Sequence, residues 1–209
     1  MIKVKICGIT NLEDALFSSE TGADALGFIF SKKSPRFINP KDAKKIISSL
    51  DPYIVKVGVF LNQLKEEVLE IANFLSLDVL QFHGDETQEY CNFFRKKFKV
   101  IKVFFPDDRP FKDRISKYKV DAYMFDIRYE DKTNIKTLPK DALKEISDLI
   151  KEGYRVILSG GINLKNVSSF CKLRPYALDV ASGVEKFVGK KDKELVSLFI
   201  KSVKNEGSR

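Results

Sequence analysis

Short runs of Val, Ile and Phe alternate along the chain with longer stretches in which apolar residues recur at helical spacing. The runs predict strands at 3–9, 25–30, 54–60, 79–83, 100–105, 122–127, 155–159 and 177–181. The stretches between them predict helices at 11–21, 40–50, 65–75, 87–98, 111–118, 139–151, 164–173 and 192–204. Asn11 with Asp14, and Asn39 ahead of Pro40, offer a side-chain oxygen before a first turn. Gly22 and Gly153 follow helix ends, where the chain turns left-handed. Nearly continuous apolar strands imply a sheet buried on both faces, hence parallel and covered by helices. Spacing alone fits an open sheet as well as a closed one, but the eight strand–helix pairs favour closure. The expectation is an α/β fold: a (β/α)8 TIM barrel of eight parallel strands, forming a single domain over 1–209.

Composition narrows the function classes. Hydrophobic residues at 44% suffice for a packed core, and charged residues at 32% are scattered rather than blocked. Three cysteines, Cys7, Cys91 and Cys171, are widely spaced, and with the single histidine, His83, they form no metal-ligand pattern. Cys91 and Cys171 fall within predicted helices and read as packing. A reduced, cytoplasmic setting is expected. No apolar run reaches the length of a signal peptide or a membrane span. The net charge of +8 invites a nucleic-acid reading. The lysines, however, recur on predicted helix faces, without an Arg-rich stripe or base-stacking aromatics. They describe a solvated surface with some attraction for anionic substrates.

In closed α/β barrels the active site lies at the C-terminal ends of the strands. Cys7, His83, Asp126, Ser159 and Asp179 fall at those ends of strands one, four, six, seven and eight. Taken singly, each has an ordinary explanation: a small buried thiol, a turn histidine, a carboxylate capping a loop. Together on one face they form a constellation that packing does not require. The sixth strand runs Tyr123-Met124-Phe125 and then places Asp126 at its lip. Gly160 and Gly161 follow strand seven, and Ser182 and Gly183 follow strand eight. Many barrels hold a phosphate on backbone N–H groups at these two loops. Arg36, just past strand two, can bind a carboxylate bidentately.

Several motifs, in order, resemble the phosphoribosylanthranilate isomerase family. They are Lys5-Ile6-Cys7-Gly8-Ile9-Thr10, Gly22-Ala23-Asp24-Ala25-Leu26-Gly27-Phe28-Ile29-Phe30 and Ser34-Pro35-Arg36. Gly58-Val59-Phe60-Leu61-Asn62-Gln63, Gln81-Phe82-His83-Gly84-Asp85-Glu86 and Ser159-Gly160-Gly161-Ile162-Asn163 follow. Last come Leu178-Asp179-Val180-Ala181-Ser182-Gly183-Val184-Glu185 and Gly189-Lys190-Lys191-Asp192. The likeness spans nearly the whole chain. One segment departs from it. After the sixth strand the family carries a glycine-rich stretch, whereas 127–136 here contains no glycine.

The resemblance implies a cofactor-free Amadori rearrangement of N-(5-phosphoribosyl)anthranilate to the 1-deoxyribulose phosphate, in tryptophan biosynthesis. It assigns Asp126 as general acid, Cys7 as general base and Arg36 to the anthranilate carboxylate. Asp179 would hold a ribose hydroxyl or the amine, Gly160, Gly161, Ser182 and Gly183 the phosphate, and His83 would line the pocket. The implied partner is a small phosphosugar, with no nucleic acid or membrane, for a monomer or homodimer. In water a thiol near pKa 8.5 and an aspartate near 3.9 hold their protons the wrong way round. Reversing them costs about 6 kcal/mol unless the site helps. Indole-glycerol-phosphate synthase would share the barrel and phosphate loops, but it would lack the Cys7 signature and need a lysine–glutamate pair at the lip. A non-catalytic relative would have lost loop closure at 128–136, but the retention of Cys7 and Asp126 speaks against it.

Overall fold

The computed structural model describes residues 1–128, 131 and 136–206. Eight parallel strands close into a barrel in sequence order: β1 (Lys3–Cys7), β2 (Ala25–Ile29), β3 (Val55–Phe60), β4 (Val79–Phe82), β5 (Lys99–Phe104), β6 (Ala122–Phe125), β7 (Val156–Leu158) and β8 (Ala177–Val180). The pairing of Lys5 with Asp179 across β1 and β8 closes the ring. The intervening helices are α1 (Leu12–Glu20), α2 (Pro40–Ile47), α3 (Lys65–Leu75), α4 (Gln88–Arg95), α5 (Phe111–Ile115), α6 (Lys140–Lys151), α7 (Val167–Cys171) and α8 (Lys193–Glu206). Among the described residues, no helix is long and apolar enough to cross a membrane.

Strand alternation splits the interior into two cores. Val4, Ile6, Leu26, Phe28, Leu80, Phe82, Phe104, Phe125, Leu158, Leu178 and Val180 face the helices and form the larger one. Ile101, Val103, Phe105, Ala122, Met124, Ile157 and Ala177 fill the lumen. One step further along the same inward rows the residues turn polar: Lys5, Gln81, Asp126, Ser159 and Asp179 are all buried. The lumen is therefore apolar at its base and polar at its mouth.

The expected caps are present. Asn11 accepts the N–H of Asp14, Asn39 accepts that of Lys41, and Gly22 and Gly153 adopt left-handed φ of 105° and 90°. Helices α2, α4, α5 and α7 are each at least three residues shorter than the sequence predicts. Before α7, Asn166 Oδ1 accepts from Asn163 N–H and Asn163 Oδ1 from Lys165 N–H, so asparagine side chains hold 163–166 as a turn. After α5, Tyr118 hydrogen-bonds back to Ile115 at 2.9 Å and the chain leaves the helix. The sequence reading missed a hairpin of β9 (Glu185–Phe187) and β10 (Lys190–Lys191), which turns at Gly189 with φ 83°. Of the glycine-free segment 127–136, residues 129, 130 and 132–135 lie outside the described residues.

Candidate active site

A cavity of about 360 Å³ opens at the C-terminal mouth of the barrel. Its lining brings together Cys7, Arg36, His83, Asp126, Gly160, Gly161, Asp179 and Ser182. Gly183 sits one step behind, where an added Cβ would stand 1.9 Å from Ile162 O. The loops after β7 and β8 are thus in direct contact. Gly160 and Gly161 have φ of 82° and 73°, a region costly for any side chain. Ser182–Val184 is a single 3-10 turn, and its first N–H groups have no acceptor within the turn. Backbone donors and tight glycine turns meet on this rim.

Cys7 is buried at the end of β1, with Lys5 two residues below it on the same face. A Cβ built on Gly27 would lie 2.7 Å from Cys7 Sγ and 2.9 Å from Lys5 Nζ, so both atoms lean against that glycine. Burial pushes the Cys7 thiol up, and the charges of Lys5 and Lys191 offset this only in part. Cationic neighbours are therefore present, as the chemistry asks, but they do not win. Burial also opposes the charge on Lys5. Asp179, whose Oδ1 accepts from Nζ at 2.7 Å, outweighs it together with Cys7, and the Lys5 pKa rises. Strand alternation alone puts Lys5 on the face of Cys7, but it does not locate the ammonium.

Asp126 stands across the mouth, one residue past β6. Its Oδ1 accepts the Ile127 N–H at 2.6 Å, and its Oδ2 lies 3.1 Å from Ser159 Oγ. The same hydroxyl is 3.1 Å from Asp179 Oδ2. A hydroxyl has one proton to donate, so both contacts are hydrogen bonds only when one carboxyl carries a proton. His83 Nε2 faces Asp126 Oδ2 at 3.7 Å. An amide nitrogen can only donate, so Gln81 Nε2, 3.1 Å from His83 Nδ1, leaves the neutral ring's proton on Nε2.

Arg36 is held from two sides. Its Nε and Nη2 donate to the two oxygens of Glu185 at 2.8 and 2.6 Å, and Gly8 leaves room for its stem. Lys191 Nζ joins Glu185 at 3.0 Å. Burial opposes the charge of Glu185, but Arg36 and Lys191 prevail and hold its carboxyl below the usual range. Sequence reasoning did not single out Glu185 or Lys191. The signal was a pair of charges flanking Val188-Gly189, a two-residue turn.

Known proteins match the chain along nearly its whole length. The family model for N-(5'-phosphoribosyl)anthranilate (PRA) isomerase matches residues 4–202. The enzyme of that name from Thermotoga maritima is 41% identical over 98% of this chain and 99% of its own. The crystal structure of phosphoribosyl anthranilate isomerase from Thermus thermophilus has a TM-score of 0.88 at 39% identity, covering 98% of this chain and 99% of that one. Another solved phosphoribosyl anthranilate isomerase, at TM-score 0.85 and 40% identity over 98% of this chain and all of its own, is in complex with reduced 1-(o-carboxyphenylamino)-1-deoxyribulose 5-phosphate. Family model, full-length relatives and barrel agree over nearly every residue, and the chain belongs to the N-(5'-phosphoribosyl)anthranilate isomerase family.

Proposed function

We propose that Asp126 and Cys7 divide the acid and base work of the family's isomerisation in tryptophan biosynthesis. Asp126 protonates the ring oxygen, the bond from that oxygen to C1′ breaks, and an iminium forms between C1′ and the anthranilate nitrogen. The Cys7 thiolate then removes the proton from C2′, leaving an enolamine that tautomerises to the ketose. The observation that carries this reading is that the thiol and the carboxyl line one cavity from β1 and from the end of β6. The Ser159 hydroxyl, 3.1 Å from Asp126 Oδ2 and from Asp179 Oδ2, holds the Asp126 carboxyl in place across the mouth from the thiol.

Arg36 presents its guanidinium to the substrate carboxylate, aligned by Glu185. Asp179 faces the sugar or the amine. The amides near Gly160, Gly161, Ser182 and Gly183 take the phosphate. His83 offers Nε2–H beside Asp126. Two variants test the central assignment. Cys7→Ser and Asp126→Asn should each lower kcat by about 1000-fold or more, read as loss of anthranilate fluorescence with substrate generated in situ. The reduced deoxyribulose phosphate bound by the relative should still bind both variants within a few-fold of wild type. Wild-type rates in both would end the assignment.

A further inference from the structure

Resting on the roles just given to Cys7 and Asp126, the chemistry leaves one task unassigned. After each turnover Cys7 holds the proton from C2′, and Asp126 has given one to the sugar oxygen. One proton must pass from sulfur to carboxylate before the next substrate is processed. Both groups are buried, Cys7 at 5% and Asp126 at 4% exposure, and bound product would fill the cavity between them and water.

We infer that Lys5, Asp179 and Ser159 form a proton-return path through the barrel wall from Cys7 to Asp126. Its members sit on β1, on β8, just after β7 and just after β6, four neighbouring positions around the ring. Lys5 Nζ packs beside Cys7 Sγ against Gly27. It donates to Asp179 Oδ1 at 2.7 Å, and Asp179 Oδ2 and Asp126 Oδ2 each lie 3.1 Å from Ser159 Oγ. Lys5, Asp179 and Ser159 are each more than nine-tenths buried. An ammonium–carboxylate pair inside a barrel gives up its hydration, and apolar residues of the same size would pack at less cost. A relay accounts for both the pair and the hydroxyl that joins it to Asp126.

The transfer balances. The Ser159 O–H bond breaks as its proton bonds to the Asp126 carboxylate. Asp179 passes to Ser159 the proton it receives from the Lys5 ammonium, and the Lys5 amine takes the thiol proton. Thiolate and carboxylic acid result, with Lys5, Asp179 and Ser159 returned to their starting states.

Ser159→Ala removes the link while leaving Cys7 and Asp126 in place. Its kcat should fall by about tenfold or more, with KM and the affinity for the reduced product analogue within about twofold. Imidazole, small enough to reach Asp126 from the cavity, should restore most of the lost rate, and Ser159→Thr, which keeps the hydroxyl, should approach wild type. An unchanged kcat overturns the inference. So does a loss that neither imidazole nor threonine repairs, because that marks mere support of Asp126. If Ser159→Ala does not fold, the wild-type proton inventory decides. A curved dependence of kcat on deuterium fraction supports several protons in flight, and a linear or flat one overturns the path. Activity in Cys7→Ser or Asp126→Asn would instead sink the assignment of acid and base. Loss in those two with a normal Ser159→Ala sinks the path alone.

Discussion

Lys5 and Lys102 are both buried ammonium groups on barrel strands, each beside a buried carboxylate, yet they face opposite sides of the sheet. Lys5 points into the lumen and meets Asp179 at 2.7 Å. Lys102 lies between the lumen residues Ile101 and Val103, so strand alternation turns it outward, where it meets Glu86 at 3.4 Å. There Nζ also donates to Gly84 O and Val103 O, while Glu86 accepts the N–H groups of Asn62 and Gly84. The outward pair thus pins the loop after β4, and the inward pair lies beside Cys7 and Ser159 at the mouth. Burial of charge looks the same in both, and only the direction of the side chain separates architecture from chemistry.

Substitution should pull the two apart. Lys5→Met is expected to lower kcat per folded molecule by roughly 100-fold, as it breaks the return path and strips Cys7 of its nearest cation. Lys102→Met should cost about 3–5 kcal/mol of stability, because it leaves Glu86 buried and uncompensated. Its kcat should stay within about threefold of wild type once folded protein is counted by denaturant titration. Equal losses of activity in the two would break the comparison.

Titration of the Cys7 thiol sharpens it further. Burial already holds this thiol above its usual value of about 8.5, and Lys5 opposes that rise. Removing Lys5 should shift the alkylation profile of Cys7 to still higher pH, whereas removing Lys102 should leave it in place. The smallest effect concerns Glu185, whose folded-state carboxyl lies below its ordinary value because Arg36 and Lys191 outweigh burial. The unfolded chain therefore takes up that proton first. The stabilisation is complete above about pH 4.3 and is lost as pH falls through the folded value. Glu185→Gln should flatten that part of the stability–pH curve measured by urea unfolding.

The sequence reveals which residues reach the mouth better than how they join there. A period of two along Tyr123-Met124-Phe125-Asp126 fixes which way Asp126 points, and the same alternation puts Lys5 with Cys7. It cannot say where a four-carbon stem ends, so the contact of Lys5 with Asp179, 174 residues away, had to come from closure of the ring. The grip of Glu185 on Arg36 spans 149 residues and depends on a hairpin of strands three and two residues long, too short for periodicity to mark. Helix α7 falls short because asparagine side chains compete for backbone groups, a local effect that apolar spacing does not register.

The glycine contact between the loops after β7 and β8 has a consequence for how such an enzyme can diversify. A methyl group on Gly183 would sit 1.9 Å from Ile162 O, and one on Gly161 would sit 1.8 Å from Lys136 O, so that rim cannot be resculpted one substitution at a time. The β2 side of the mouth, where Arg36 is clasped by a side chain rather than wedged by backbone, is open to gradual change. If the glycine rim holds the phosphate as proposed, selection for new substrates would keep it as a fixed tether and vary what hangs from the other end.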